Sequence, residues 1–295
     1  MHRLIIILSA VVMLFSACTA GATPPLVTPT LGHIPVTNTP VAAPTDTTVP
    51  TQPHPTLTPE PSPTFTPKPT IDLALVLTPE TPVEYEVDYL GLRTSDEVQI
   101  MAKRFGEGEL AVVLAHQGTI GANQRDWEEF ARLLAERGYS AATLDFRGRG
   151  QSKGDINSTH LLILDMRALI DRLQEEGYER FVCMGASMGG STCLRAAVEY
   201  DLDGLVIIGS FVGNGQPTTT SPEELAALGM PTLFITTDND RYGEIPAAVK
   251  QMYEIAQEPK QLRVFPGEAH GTEMFVQPYR EEFTAELLAF LEMLR

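Results

Sequence analysis

Two periodicities take turns along residues 84–295. Short apolar runs near 84–90, 97–104, 111–115, 140–145, 180–185, 204–208, 232–237 and 261–265 have the length of strands. Between them, segments near 126–137, 159–176, 188–200, 222–228, 244–257 and 279–294 place apolar residues at helical spacing. Strand alternating with helix predicts the α/β class: a mostly parallel, eight-stranded sheet with helices on both faces and its first strands antiparallel. About 210 residues are enough for one such domain with a substantial core.

The pattern fails before residue 83. Met1-His2-Arg3 is a short positive region, and Leu4–Phe15 is an apolar run of signal-peptide length, shorter than a membrane span needs. It ends in Leu14-Phe15-Ser16-Ala17-Cys18, where small residues before a cysteine resemble the bacterial lipobox. That resemblance implies that residues 1–17 are removed and that Cys18 carries lipid, which would place the protein outside the cytoplasm on a membrane anchor. Phe15 stands where leucine is commoner, and ordinary cleavage near Ala17 or Ala20 is the alternative. Residues 18–82 then form a tether: Thr-Pro pairs recur and apolar periodicity is too sparse to bury a core. Extended polyproline II chain at about 3.1 Å per residue would reach roughly 200 Å.

Within the domain, candidate chemistry sits where strands end. Arg180–Gly185 reads as a buried strand and Ser191–Val198 as a helix, with Gly185-Ala186-Ser187-Met188-Gly189-Gly190 between them. A turn that sharp strains the serine backbone, and glycines on either side let strand and helix approach. The serine hydroxyl is then exposed beside a helix N-terminus whose free N–H groups suit an oxyanion. By itself the motif also fits an ordinary strand-to-helix turn, so its partners decide.

The apolar strand from Pro231 ends at Asp238 and Asp240, either of which could orient a histidine; Asp240 is preferred and Asp238 competes. The preceding strand, Gly204–Ile208, runs into Gly209-Ser210-Phe211 and offers no acid. Of six histidines, His2 falls in the leader, His33 and His54 in the tether, and His160 at the start of a helix. His116 and His270 remain at strand ends, and His270, in Pro266-Gly267-Glu268-Ala269-His270-Gly271, is the natural general base.

Taken together, residues 84–295 resemble an α/β-hydrolase fold serine hydrolase: the elbow at Ser187, Asp240, the His270 loop, the turn His116-Gln117-Gly118, and Asp145-Phe146-Arg147-Gly148-Arg149-Gly150 come in the order of that family. The resemblance implies a Ser187–Asp240–His270 triad, with oxyanion N–H groups from Met188 and from Gln117, Gly118 or Thr119. His116 is expected to be a hydrogen-bonded turn residue, and Asp145 and Arg147 are expected to brace neighbouring loops as a charge-assisted pair.

The remaining features narrow the picture. Only 21 residues separate Gly209 from Pro231, and Ser221-Pro222-Glu223-Glu224 among them has the form of a capped helix start, so no large cap domain fits and an open, shallow pocket is expected. Cys183 and Cys193 are read as buried thiols, with a disulfide between them geometrically possible. No histidine and cysteine spacing suggests a zinc site, and no phosphate or dinucleotide fingerprint stands out, so neither metal nor cofactor is expected. With 21 basic and 38 acidic residues the formal charge is −17, which disfavours nucleic acid and anionic membrane surfaces as partners. The expectation is a monomeric serine hydrolase acting on small acyl compounds, carboxylic esters foremost. Peptidase, thioesterase and acyltransferase chemistry, or a noncatalytic binding role, are the alternatives.

Overall fold

The computed structural model describes residues 84–212 and 219–295. The leader 1–17, Cys18, the tether 18–82 and residues 213–218 lie outside the described residues.

Eight strands form one sheet: β1 (Val87–Arg93), β2 (Gln99–Phe105), β3 (Leu110–Ala115), β4 (Ser140–Asp145), β5 (Arg180–Ala186), β6 (Gly204–Ile208), β7 (Thr232–Thr237) and β8 (Lys260–Phe265). Their order is β1-β2-β4-β3-β5-β6-β7-β8. β1 pairs antiparallel with β2 and β2 with β4, and every pairing from β4 to β8 is parallel. The predicted α/β class and antiparallel start are thus what the chain adopts. The first strand is displaced from the expected 84–90, because antiparallel register with β2 runs from Val87↔Phe105 to Arg93↔Gln99. An edge strand of mixed charge carries little periodic signal to locate it.

Each central strand is buried on both faces, which is why β3, β4 and β7 read as continuous apolar or small-residue runs. Alternate residues nevertheless feed two separate cores. Val113, Cys183, Leu205, Ile207 and Phe234 join one, whereas Val112, Val182, Met184, Val206 and Ile235 join the other. The first core is closed by helices α2 (Leu162–Glu175), α3 (Met188–Glu199) and α5 (Ile245–Ile255), through Met166, Leu194 and Met252. The second is closed by α1 (Glu128–Glu136) and α6 (Arg280–Glu292), through Phe130, Leu134, Phe283 and Leu287. Between β6 and β7 the described chain forms only the six-residue helix α4 (Pro222–Ala227). Its predicted start is present in full: Ser221 accepts from the Glu224 N–H, and the Glu224 carboxylate accepts from the Ser221 N–H. No large cap stands over the sheet among the described residues.

One expectation is overturned. Cys183 and Cys193 are joined by a disulfide rather than held as free thiols, with Cα atoms 5.6 Å apart. The strand period explains it: Cys183 faces the core that α3 covers, and Cys193 lies on the inner side of that helix. The bond closes a loop with a sequence separation of 10 that contains Ser187. Chain-entropy reasoning assigns a loop of that size about 3 kcal/mol. Replacing both cysteines by alanine should therefore lower unfolding stability by about 2–4 kcal/mol, measured as a lowered urea midpoint. An unchanged midpoint would show that the bond contributes nothing to stability.

Candidate functional site

Ser187 occupies the joint between β5 and α3 with φ of 51° and ψ of −115°, a left-handed conformation that costs an L-residue energy. Surrounding bonds hold it there. Its N–H donates to the Ile208 carbonyl at 2.7 Å, and its carbonyl accepts from the Ser191 N–H at 3.1 Å and from Ser210 Oγ at 2.7 Å. Close packing explains the flanking glycines. A Cβ on Gly185 would collide with the Gly189 carbonyl, and one on Gly189 would collide with the Ala115 carbonyl at the end of β3. Helix α3 therefore starts pressed against the C-terminal ends of β3 and β5, with its N–H dipoles directed at their shared mouth.

Asp240 and His270 meet beside this joint. His270 Nδ1 lies 2.7 Å from Asp240 Oδ2, and both side chains are almost fully buried. Asp240 Oδ1 accepts from the Tyr242 N–H at 2.9 Å, so both carboxylate oxygens are engaged. A carboxylate on Nδ1 requires the proton to be there and leaves Nε2 as the acceptor. Asp238 is exposed and accepts from the Gly267 N–H at 2.8 Å, so it braces the His270 loop without touching the ring. Tyr242 packs edge-on to His270 with ring centroids 4.6 Å apart. The imidazole lies against the end of β6, since a Cβ on Gly209 would stand 3.3 Å from Nδ1. Gly271 likewise faces Ala186, the residue before Ser187, at 3.2 Å from a Cβ built on it. The ring and the serine thus share the crevice above β5 and β6.

The turn after β3 completes the crevice. A Cβ on Gly118 would lie 3.1 Å from Met188 Sδ, which places the turn directly across from the first residue of α3. Carbonyls of the turn are held elsewhere: Gln117 O by His116 Nδ1 at 2.7 Å, Gly118 O and Thr119 O by Arg149 at 2.6 and 2.7 Å. The Gln117 side chain accepts from the Thr272 N–H at 3.0 Å and so ties this turn to the His270 loop. As the opening residue of a helix, Met188 has no intrahelical partner for its N–H.

Both ring nitrogens of His116 are engaged within the fold. Its Nε2 accepts from the Phe146 N–H at 3.1 Å, and its ring stands edge-on to Phe146. Burial pushes its pKa down to about 4, so it is neutral with the proton on Nδ1. Asp145 and Arg147 do brace loops, but not as the expected pair. Asp145 accepts from the Gln124 N–H, the Gln124 side chain and the Gln151 N–H at 2.8–3.0 Å. Arg147 instead forks onto Asp165 at 2.7 and 2.9 Å and onto Asp96 at 2.7 and 3.1 Å. Arg149, Ser210 and Tyr242 were not singled out from sequence. Arg149 was visible inside the Arg-Gly-Arg-Gly motif, whereas the other two carry no pattern of their own.

A pocket of about 340 Å³ opens from Ser187 between the start of α2, the first turns of α3 and the segment after β6. A cavity of about 390 Å³ between Phe130 and Phe275 contains none of the residues above. Among the described residues no group of His, Cys, Asp or Glu could hold a metal ion, and no helix is long and apolar enough to cross a membrane.

Comparison with known proteins bears on the fold. A family model described as serine aminopeptidase, S33, matches residues 108–228. A 2-hydroxy-6-oxo-6-phenylhexa-2,4-dienoate hydrolase of Comamonas testosteroni is 33% identical over 98 residues, which is 32% of this chain and 33% of that one. A 2-hydroxy-6-oxononadienedioate/2-hydroxy-6-oxononatrienedioate hydrolase of Klebsiella pneumoniae is 29% identical over 124 residues, 40% of this chain and 42% of that one. The chain thus spans about a third to two fifths of the length of the curated relatives it matches. Among solved structures, an esterase of Pyrococcus furiosus superposes with a TM-score of 0.59 at 18% identity, covering 71% of this chain and 91% of that one. An α/β serine hydrolase without lid from Xanthomonas campestris gives 0.55 at 20% identity, covering 74% and 96%. The fold is the α/β-hydrolase fold.

The buried, neutral His116 generates a pH prediction. Its folded pKa of about 4 lies below the reference value of 6.5, so the unfolded chain takes up a proton first as pH falls. The stability tied to His116 is complete above about pH 6.5, declines towards pH 4 and is flat below. The loss amounts to about 3 kcal/mol. In urea titrations at pH 7, 5.5 and 4, His116→Gln should lose that much less stability over the range than the unsubstituted protein.

Proposed function

We propose that the chain is a serine hydrolase that cleaves carboxylic esters through an acyl-enzyme, and the observation that carries this reading is the Asp240–His270 hydrogen bond beside the strained Ser187 elbow. His270 Nε2 takes the proton of Ser187 Oγ as that oxygen attacks the acyl carbon. Asp240 fixes the tautomer and stabilises the imidazolium that forms. The tetrahedral oxyanion is received by the Met188 N–H and by a backbone N–H of the turn at Gln117, whose carbonyls are bonded away from the crevice. His270 then gives its proton to the leaving alkoxide, which departs and leaves the acyl group on Ser187. Water, deprotonated by the same nitrogen, attacks that ester, and His270 returns the proton to Ser187 Oγ as the serine departs and the acid is released. No other group is needed for the proton balance.

The curated relatives are named for hydrolysis of a hydroxy-oxo dienoate and of hydroxy-oxo diene- and trienedioates, substrates that carry carboxylates. The described lining of the Ser187 pocket bears no cationic side chain, which favours neutral esters here. We further propose that the enzyme works outside the cytoplasm as a monomer, held to a membrane through lipid on Cys18 and the tether that follows. The Cys183–Cys193 disulfide supports that compartment, because such bonds persist where the surroundings are oxidising.

Hydrolysis of a chain-length series of p-nitrophenyl esters tests the reaction. Turnover should peak at short acyl chains, and Ser187→Ala should abolish both turnover and labelling by a fluorophosphonate without lowering thermal stability. Asp240→Asn should lower kcat by about 10⁴-fold, because the histidine then adopts the wrong tautomer. Asp238→Asn should cost less than about tenfold, since only a bond within the loop is lost. Labelling that survives Ser187→Ala would remove Ser187 from the mechanism.

A further inference from the structure

The pocket beside Ser187 has a polar wall built from hydroxyls. Thr192 Oγ1 donates to the Met188 carbonyl at 2.9 Å, and Ser191 Oγ bonds Ser210 Oγ at 2.9 Å and the Phe211 carbonyl at 3.1 Å. Thr220 lines the same pocket, is only 1% exposed, and its Oγ1 has no hydrogen-bond partner among the described residues. A buried hydroxyl left unpaired costs about 1–3 kcal/mol, so a polar group supplied from outside the protein stabilises it.

Position says which part of a substrate that would be. His270 donates its proton to the leaving group, which must therefore depart on the imidazole side. Asp240, Tyr242 and His270 form no part of the pocket wall, whereas Ser187 and Met188 do. The pocket consequently holds the acyl group. Leu162, Ile163 and Leu194 make the remainder of its wall largely apolar, and no charged side chain is described there.

Resting on the ester-hydrolase reading above, we infer that Thr220 is a specificity-determining residue whose hydroxyl recognises a neutral oxygen substituent, such as a keto or hydroxyl group, on the acyl chain of the substrate. In this proposal Oγ1 turns about χ1 from its buried position towards the bound chain. A plain alkyl chain of equal length leaves the hydroxyl unpaired. This goes beyond the general reading of small acyl substrates by naming a substituent and the residue that senses it.

The test uses the full chain and two p-nitrophenyl esters, 4-oxopentanoate and pentanoate, with Ser187→Ala as the blank. The unsubstituted protein should favour the oxo ester in kcat/KM by about five- to tenfold. Thr220→Val, which keeps the shape and removes the hydroxyl, should abolish the preference, bringing kcat/KM for the two esters to within about twofold of each other. It should also unfold at the same temperature or higher, since no protein hydrogen bond is lost. Equal kcat/KM for the two esters, or a preference that survives Thr220→Val, would overturn the inference while leaving the ester reading intact. A clearly lowered melting temperature would overturn it independently, by showing the hydroxyl to be used within the fold. Absence of Ser187-dependent turnover of either ester would overturn the ester reading, and the inference with it.

Discussion

Everything at the crevice depends on how closely α3 crosses the ends of β3 and β5. That crossing is possible only because Gly185 and Gly189 have no side chains to collide with the Gly189 and Ala115 carbonyls. The chain must turn from strand to helix within one residue, and the positive φ of Ser187 is the cost. Bonds to Ile208, Ser191 and Ser210 offset it. The Cys183–Cys193 disulfide joins the two arms of the same turn from beneath. Strain is held in place by covalent and hydrogen-bonded structure on either side, so the hydroxyl and the helix N–H groups share one mouth.

The rest of the constellation follows from strand order. β5 lies at the centre of the parallel part of the sheet, between β3 and β6. Parallel strands end on one edge, so the loops after β3, β5, β7 and β8 converge there with their chemistry. Two side chains lock these loops to one another. Gln117 bonds the backbone at Thr272, and Asp240 bonds both His270 and the N–H of Tyr242. Arg149 does similar work for the turn after β3 by gathering two of its carbonyls.

Much of this was legible in the sequence because its signals are local. Strand ends, flanking glycines and the order Ser187, Asp240, His270 are properties of short segments, and helix starts such as Ser221-Pro222-Glu223-Glu224 carry their own capping chemistry. What escaped depends on which distant segments meet. Asp238 and Asp240 are both acids at one strand end, and only the path of the loop decides that Asp240 reaches the ring. Arg147 finds Asp165 and Asp96, eighteen positions ahead and 51 behind, which no motif announces. The disulfide required knowing that Cys183 faces the same layer as α3, and strand phase in a strand buried on both faces leaves no polar mark to read. β1 was misplaced for a related reason: its limits come from pairing with β2, not from its own composition.

Charge at the site argues about substrates as well. The chain carries a formal charge of −17, and the crevice itself contains the buried Asp240 carboxylate. In the proposed mechanism, proton transfer from Ser187 to His270 pairs that carboxylate with an imidazolium as negative charge develops on the oxyanion, so the net charge of the crevice is unchanged through the step. Arg149, the cation of the adjoining turn, is committed to the Gly118 and Thr119 carbonyls and offers little to a substrate anion. A carboxylate held about 8 Å from the developing oxyanion would oppose it by about 2 kcal/mol at an effective dielectric of about 20. That is about thirtyfold in rate. A neutral acyl group meets no such opposition, and hydroxyl recognition of a neutral oxygen adds selectivity without adding charge. The wall of the pocket and the electrostatics of the reaction therefore favour the same kind of molecule.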